Sequence, residues 1–349
     1  MRKFVKVILV YFILPAILLL PIVNIIIDPS HLFDQGKYEK EIISILSQGY
    51  NCTNVDANMN ERFFKRYLIE SHKGENFDYL VMGSSRIMTI NEEDLHSSSI
   101  LNVGVSGGCL EDLCSMYEIC LENGIHISNV VIGLEPQWFN KNIGDVRWQT
   151  NSVFFKRYCK RFGIKYYSTY NPKKYINLFS LTYLQAGLRY IFNGEHNLVK
   201  TKKSYNPRTS YLHYGSLVYG NTANSVSQDE VDKDASENVY KQLQNYKCVD
   251  SSKLLLFEKL LMSFRHYGVN VIGFKVPYHP LLYDRIWTED SFKYLRVSSS
   301  IFDNLLLKED YLIIGGYDPR KFLLDNTFFY DGMHLRQECY KRILSPYFN

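Results

Sequence analysis

The sequence predicts an α/β protein, a three-layer α/β/α sandwich with a mainly parallel sheet, preceded by one N-terminal transmembrane helix. Three observations predict it. Short apolar runs rich in β-forming residues, at 77–82, 100–105, 130–134 and 269–276, break off at small or polar residues, as buried parallel strands do. Helical patterns lie between them, giving the strand-helix-strand rhythm of βαβ units. Ahead of all of these, residues 7–27 form an apolar run about as long as the roughly 20 residues that a bilayer-crossing helix needs.

That first run is interrupted only by Tyr11, Pro15, Pro21 and Asn24, and Arg2, Lys3 and Lys6 stand before it. A cleaved signal peptide fits less well: the run exceeds an ordinary apolar h-region, and Ile26-Ile27-Asp28-Pro29 follows it in place of a small-x-small site. Basic residues ahead of the span leave the amino terminus in the cytoplasm and the remainder outside. The expected plan is an anchor at 1–27, a polar juxtamembrane connector at 28–75 and a catalytic domain at 76–349. Within the connector, residues 39–46 and 60–70 read as helices that cover one side of the sheet.

Composition narrows the function classes. The chain has 349 residues, 46% hydrophobic and 22% charged, which suits one large domain or two small ones. A net charge of +4 is too mild to imply nucleic acid. The 28 tyrosines suit a carbohydrate-facing surface, offering an apolar face with a hydroxyl, and equally suit ordinary core and surface positions. Cys52, Cys109, Cys114, Cys120, Cys159, Cys248 and Cys339 are odd in number and lack framework spacing. No Cys-x-x-Cys pair or histidine cluster accompanies them, so neither a metal nor another cofactor is implied. Most read as small buried hydrophobes, with a disulfide from Cys52 left open.

The core elements follow in order. Residues 110–123 read as an amphipathic helix stopped by Asn123-Gly124. A tyrosine-rich insertion at about 138–246 breaks the rhythm, with helical patches at 173–192 and a polar, loop-like stretch at 221–237. Insertions of this size often shape a substrate cleft. Arg208 and His213 in it are candidate substrate contacts. A helix at 252–267, the strand at 269–276, a short strand at 311–314 and a closing helix at 336–344 complete the core.

Two stretches carry chemistry. The first strand ends in Gly83-Ser84-Ser85, placing two hydroxyls at the carboxyl edge of the sheet, where open α/β proteins keep their sites. Ser85 is the candidate nucleophile, and the plainer reading is that the serines cap a helix. Near the other end, Asp331-Gly332-Met333-His334 sets an acid three residues before a histidine. A carboxylate so placed can fold onto one ring nitrogen of His334 and leave the other to take a proton from serine. His279, after the strand at 269–276, is a rival base or substrate contact, with no acid at a comparable spacing.

These blocks resemble the SGNH (GDSL-like) hydrolase superfamily, in which a Gly-x-Ser block after the first strand carries the nucleophile and a late Asp-x-x-His block the acid and base. Asn102-Val103-Gly104-Val105-Ser106-Gly107-Gly108 looks like a further block, and the resemblance assigns oxyanion donors to the N–H groups of Gly107 and Ser85. The family's Gly-x-Asn-Asp block is absent. The corresponding strand continues as Gly133-Leu134-Glu135-Pro136-Gln137, where Gln137 is the substitute donor. The departure matches a divergent, membrane-anchored branch resembling proteins that transfer O-acyl or D-alanyl groups to bacterial cell-surface polymers.

The resemblance implies an SGNH/flavodoxin-like fold and a serine esterase or O-acyltransferase using Ser85, His334 and Asp331. Its substrate would be a cell-surface glycan or another acyl ester, with acetyl as the group. It would act outside the bacterial cytoplasmic membrane, with a multi-spanning membrane protein as acyl donor. The alternative is an inactive glycan-binding scaffold in a polysaccharide modification or export complex.

Overall fold

The structure, a computed structural model, describes residues 4–348 apart from 5, 7–9, 12–13, 29–35, 57–58, 144, 166–176, 193–196, 204–207, 222–224, 239 and 241–242. Its strands are β1 (Asn51–Thr53), β2 (Asn76–Met82), β3 (Ile100–Asn102), β4 (His126–Gly133), β5 (Val199–Thr201), β6 (Ser210–Tyr211), β7 (Leu217–Val218), β8 (Asn270–Lys275) and β9 (Leu312–Gly315). Its helices are α1 (Leu14–Ile27), α2 (Lys37–Leu46), α3 (Glu61–Ser71), α4 (Leu110–Glu122), α5 (Ser152–Arg161), α6 (Leu181–Phe192), α7 (Gln228–Glu237), α8 (Ser251–His266), α9 (Pro280–Thr288), α10 (Lys293–Lys308) and α11 (Glu338–Leu344).

Five strands form a parallel sheet in the order β3-β2-β4-β8-β9. Apolar side chains alternate between its two faces, as the two-residue period of a strand requires. Leu80, Met82, Val130, Ile132 and Val271 enter one core, and Val81, Val131, Ile272 and Ile314 the other. The first core is covered by helices that include α3, α4, α8 and α10, the second by α11, Leu212, Val218 and Val231 of α7. Burial on both faces explains why these strands read as near-continuous apolar runs.

α4 differs from its expectation as an amphipathic helix: every residue from Leu110 to Cys120 is buried. Three of those residues are acidic, and each meets a base from a neighbouring helix. Asp112 accepts a forked pair from Arg62 of α3, Glu118 one from Arg161 of α5, and Glu111 pairs with Lys253 of α8. A buried acid would be prohibitive without such a partner.

The residues ahead of β2 belong to this body. α3 is capped by the Asn60 side chain and buries Phe64, Leu68 and Ile69 in the first core. β1 joins the insertion strands in a small antiparallel sheet, β5-β1-β6-β7, that shorter patterns did not announce. The loop expected at 221–237 is instead largely helix. Ser227 and Glu230 cap each other's backbone N–H at the start of α7, and Val231 and Ala235 are buried. α9 and α10, between β8 and β9, were also not read from sequence.

α1 spans 14 residues, about 21 Å at 1.5 Å per residue. Among the described residues no helix is long and apolar enough to cross a membrane. Part of the expected span, 7–9 and 12–13, lies outside the described residues, as does 173–176 of the expected helical patch. Every described cysteine is free, with Cys52 buried and its thiol pushed up to about 12 by burial.

Candidate active site

β2 and β4 are neighbours in the middle of the sheet, with β3 on one side and β8 on the other. The chain order reverses between them, which is where an open α/β sheet leaves a crevice at its carboxyl edge. Both strands deliver polar groups into that crevice.

After β2 the chain enters a single 3-10 turn at Ser85–Ile87, and its two serines divide the two readings between them. Ser84 is the cap: its Oγ accepts the N–H of Arg86 and donates to Glu135 Oε1 at 2.6 Å. Ser85 is turned the other way, with Oγ 2.7 Å from His334 Nε2.

The Asp331 loop folds back as its spacing predicts. Asp331 Oδ1 accepts the N–H groups of Met333 and His334 at 2.7 and 2.8 Å, and Asp331 Oδ2 lies 2.7 Å from His334 Nδ1. Burial pushes the Asp331 carboxyl up, but the His334 ring and these donors outweigh it and hold the group below the usual carboxylate range. An ionised Asp331 keeps the proton on Nδ1 and leaves Nε2 as an acceptor toward Ser85.

Ser85, His334, Gly107, Gln137, Ile143 and Met333 line a narrow cleft of about 20 Å³. A larger open cavity of about 390 Å³ lies toward the amino ends of the strands, by Asp78, Tyr79 and Asn129, away from this chemistry. Among the described residues, the backbone N–H groups of Ser85 and Gly107 are spent on no protein acceptor. The turn that presents Gly107 is fixed from both sides. Trp138 Nε1 donates to the Gly108 carbonyl at 2.8 Å, and a Cβ on Gly108 would fall 2.3 Å from the Gly83 carbonyl oxygen.

Gln137 lines the cleft but is partly committed. Its Nε2 donates to Glu135 Oε2 at 2.9 Å, leaving one amide hydrogen, and its buried Oε1 has no partner. Glu135 in turn accepts from Arg86 at 3.2 Å. Arg86 is 1% exposed, lies over the Tyr278 ring, and also donates to the carbonyls of Val276, Pro277 and Met333. Burial works against its charge, and Glu135 more than restores it.

Sequence reasoning missed this Arg86-Glu135 pair, although both charges follow within four residues of an apolar strand, where a charge must find a partner inside. It also missed the role of Asn102, whose Nδ2 donates to the carbonyls of Ile87, Met88 and Ile90 and so holds the serine turn from below.

The insertion reaches the Asp331 loop through α7 and Tyr240. The Gly332 N–H donates to both Asp234 Oδ2 and the Tyr240 hydroxyl, at 3.1 and 2.9 Å, and Tyr240 donates to Asp234.

The other candidates are placed elsewhere. His279 is fully buried; its Nδ1 accepts the Leu281 N–H at the start of α9, and Nε2 stands 3.3 Å from Asp232. Burial lowers its pKa despite that carboxylate. This corrects the expectation of a rival base or substrate contact, because a ring enclosed by packing reaches neither Ser85 nor a ligand. Arg208 binds Asn54 Oδ1 at 2.7 Å, and His213 stands 3.8 Å from Glu92. Neither lines the Ser85 cleft. They flank or follow β6, whose pairing with β1 draws them to the small sheet.

No family model and no curated protein matches this chain.

Proposed function

We propose that the protein is an SGNH-type serine acyltransferase or esterase acting on O-acyl, chiefly O-acetyl, groups of an extracytoplasmic glycan. The observation that carries this reading is the unbroken relay from Asp331 through His334 to Ser85, with contacts of 2.7 Å at each step. The sheet order, second-first-third-fourth-fifth, is that of flavodoxin-like folds and supports the same assignment.

His334 Nε2 takes the Ser85 proton as Oγ attacks the ester carbonyl. The oxyanion is met by the N–H groups of Ser85 and Gly107 and by the remaining Gln137 amide hydrogen. Collapse breaks the bond to the leaving alcohol, which takes the proton from His334 and departs, leaving acyl-Ser85. An acceptor hydroxyl then gives its proton to Nε2 and attacks the acyl carbon, restoring Ser85. Water as acceptor makes the protein an esterase; a sugar hydroxyl makes it an O-acyltransferase.

The basic residues before the apolar run favour an outward-facing domain on a bacterial cytoplasmic membrane, with a multi-spanning protein supplying the acyl group. The test is the intact mass of the detergent-purified full chain after exposure to a fluorophosphonate, beside Ser85→Ala. A single adduct on the wild-type chain alone supports a working nucleophile. No adduct on a chain with native circular dichroism would move the assignment to a glycan-binding scaffold.

A further inference from the structure

Building on the reading of residues 7–27 as a membrane anchor, we propose that α6, inside the insertion, lies in the outer leaflet of the same bilayer. The domain is then held to lipid at two points 150 or so residues apart in the chain. Leu181, Leu188, Ile191 and Phe192 of α6 are exposed, Phe192 at 81%, and Phe179 is exposed just before them. α1, packed beside it, exposes Leu18, Leu19, Ile22 and Ile26. Two adjoining helices with this outer surface form an apolar patch of the kind that water-facing monomer surfaces avoid.

The polar atoms between the helices say what covers the patch. Asn24, within the apolar run and 1% exposed, donates to the carbonyls of Leu178 and Ser180 at 2.7 and 3.3 Å. Those carbonyls precede α6, and in hydrocarbon they need a donor from the protein because water is absent. Gly187 sits so close to α1 that a Cβ there would fall 2.7 Å from Ile27 Cγ2, the small-residue contact by which helices pack in lipid. The Tyr183 hydroxyl donates to Asp28 at 2.9 Å, a polar pair at the end of α1 that suits the headgroup level. The occupant is therefore lipid.

The test uses the full chain reconstituted in phosphatidylcholine and phosphatidylglycerol vesicles that contain a brominated phosphatidylcholine. Leu188→Trp and Phe192→Trp report on α6, and Val153→Trp, exposed on α5, is the comparison reporter. Bromolipid should remove most of the emission that Leu188→Trp and Phe192→Trp add to the parent chain, and leave that of Val153→Trp. If the α6 reporters are quenched no more than Val153→Trp while the chain floats with the vesicles, the α6 contact is refuted and the anchor stands. If the chain does not float with vesicles, the anchor reading fails and the α6 contact with it.

Discussion

Arg86 Nε donates to the main-chain carbonyl of Met333 at 3.2 Å, across 247 residues of sequence. The residue after the candidate nucleophile thus grips the residue before the candidate base, and the two blocks are joined beneath the cleft as well as across it. Through Glu135 the same guanidinium reaches Ser84 and Gln137.

Replacing Arg86 by Gln leaves Glu135 charged, buried and without its cation. Loss of one partner from such a pair costs about 3–5 kcal/mol. Urea unfolding of Arg86→Gln should register a loss of that order, and Arg86→Gln with Glu135→Gln should recover part of it. An unchanged midpoint for Arg86→Gln would contradict the network.

Asp331→Asn keeps the loop's shape but cannot hold the proton on Nδ1 as an ionised carboxylate does. By analogy with serine triads, the fluorophosphonate labelling rate should fall by about 10³–10⁴-fold. Labelling of Asp331→Asn at the wild-type rate would remove Asp331 from the relay.

Tyr240→Phe deletes the hydroxyl that accepts the Gly332 N–H. A loss of about 1 kcal/mol in stability is expected, since Asp234 remains as acceptor. Hydrogen exchange should quicken at 331–334 while the β2 and β4 amides keep their protection. Unaltered exchange in that loop would mean that the insertion does not steady it.

Asp94 has its carboxyl pushed up to about 7, by burial first and by Glu93 after it, against the Asn91 N–H and Lys341. A raised acid binds its proton more tightly when folded, so its stabilising contribution is complete below the unfolded value and is lost as pH rises through about 7. Asp94→Asn should flatten this decline in stability between about pH 4 and 7, measured by thermal melts across that range. A wild-type slope in the variant would contradict the assignment.

The parallel core was legible because strands buried on both faces must be apolar throughout, and those at 77–82, 130–134 and 269–276 lie close to β2, β4 and β8. The Asp331-His334 contact was legible for a different reason: three residues of chain are enough to close it. Arg86-Glu135 and Gly332-Tyr240 were not, because their partners come from separate elements and only the sheet order and the docked insertion bring them together. The small sheet escaped notice because its strands are two or three residues long, and α7 because its single buried stripe, Val231 and Ala235, is outnumbered by acids.

The separation of 249 positions between Ser85 and His334 has a bearing on synthesis. A chain emerging from its amino end displays the serine long before the imidazole exists. Any product cut short before residue 334 carries a hydroxyl with no base to ionise it. If Ser85 is the nucleophile we propose, incomplete copies stay chemically silent toward neighbouring esters, and reactivity arrives only once residue 334 is in place.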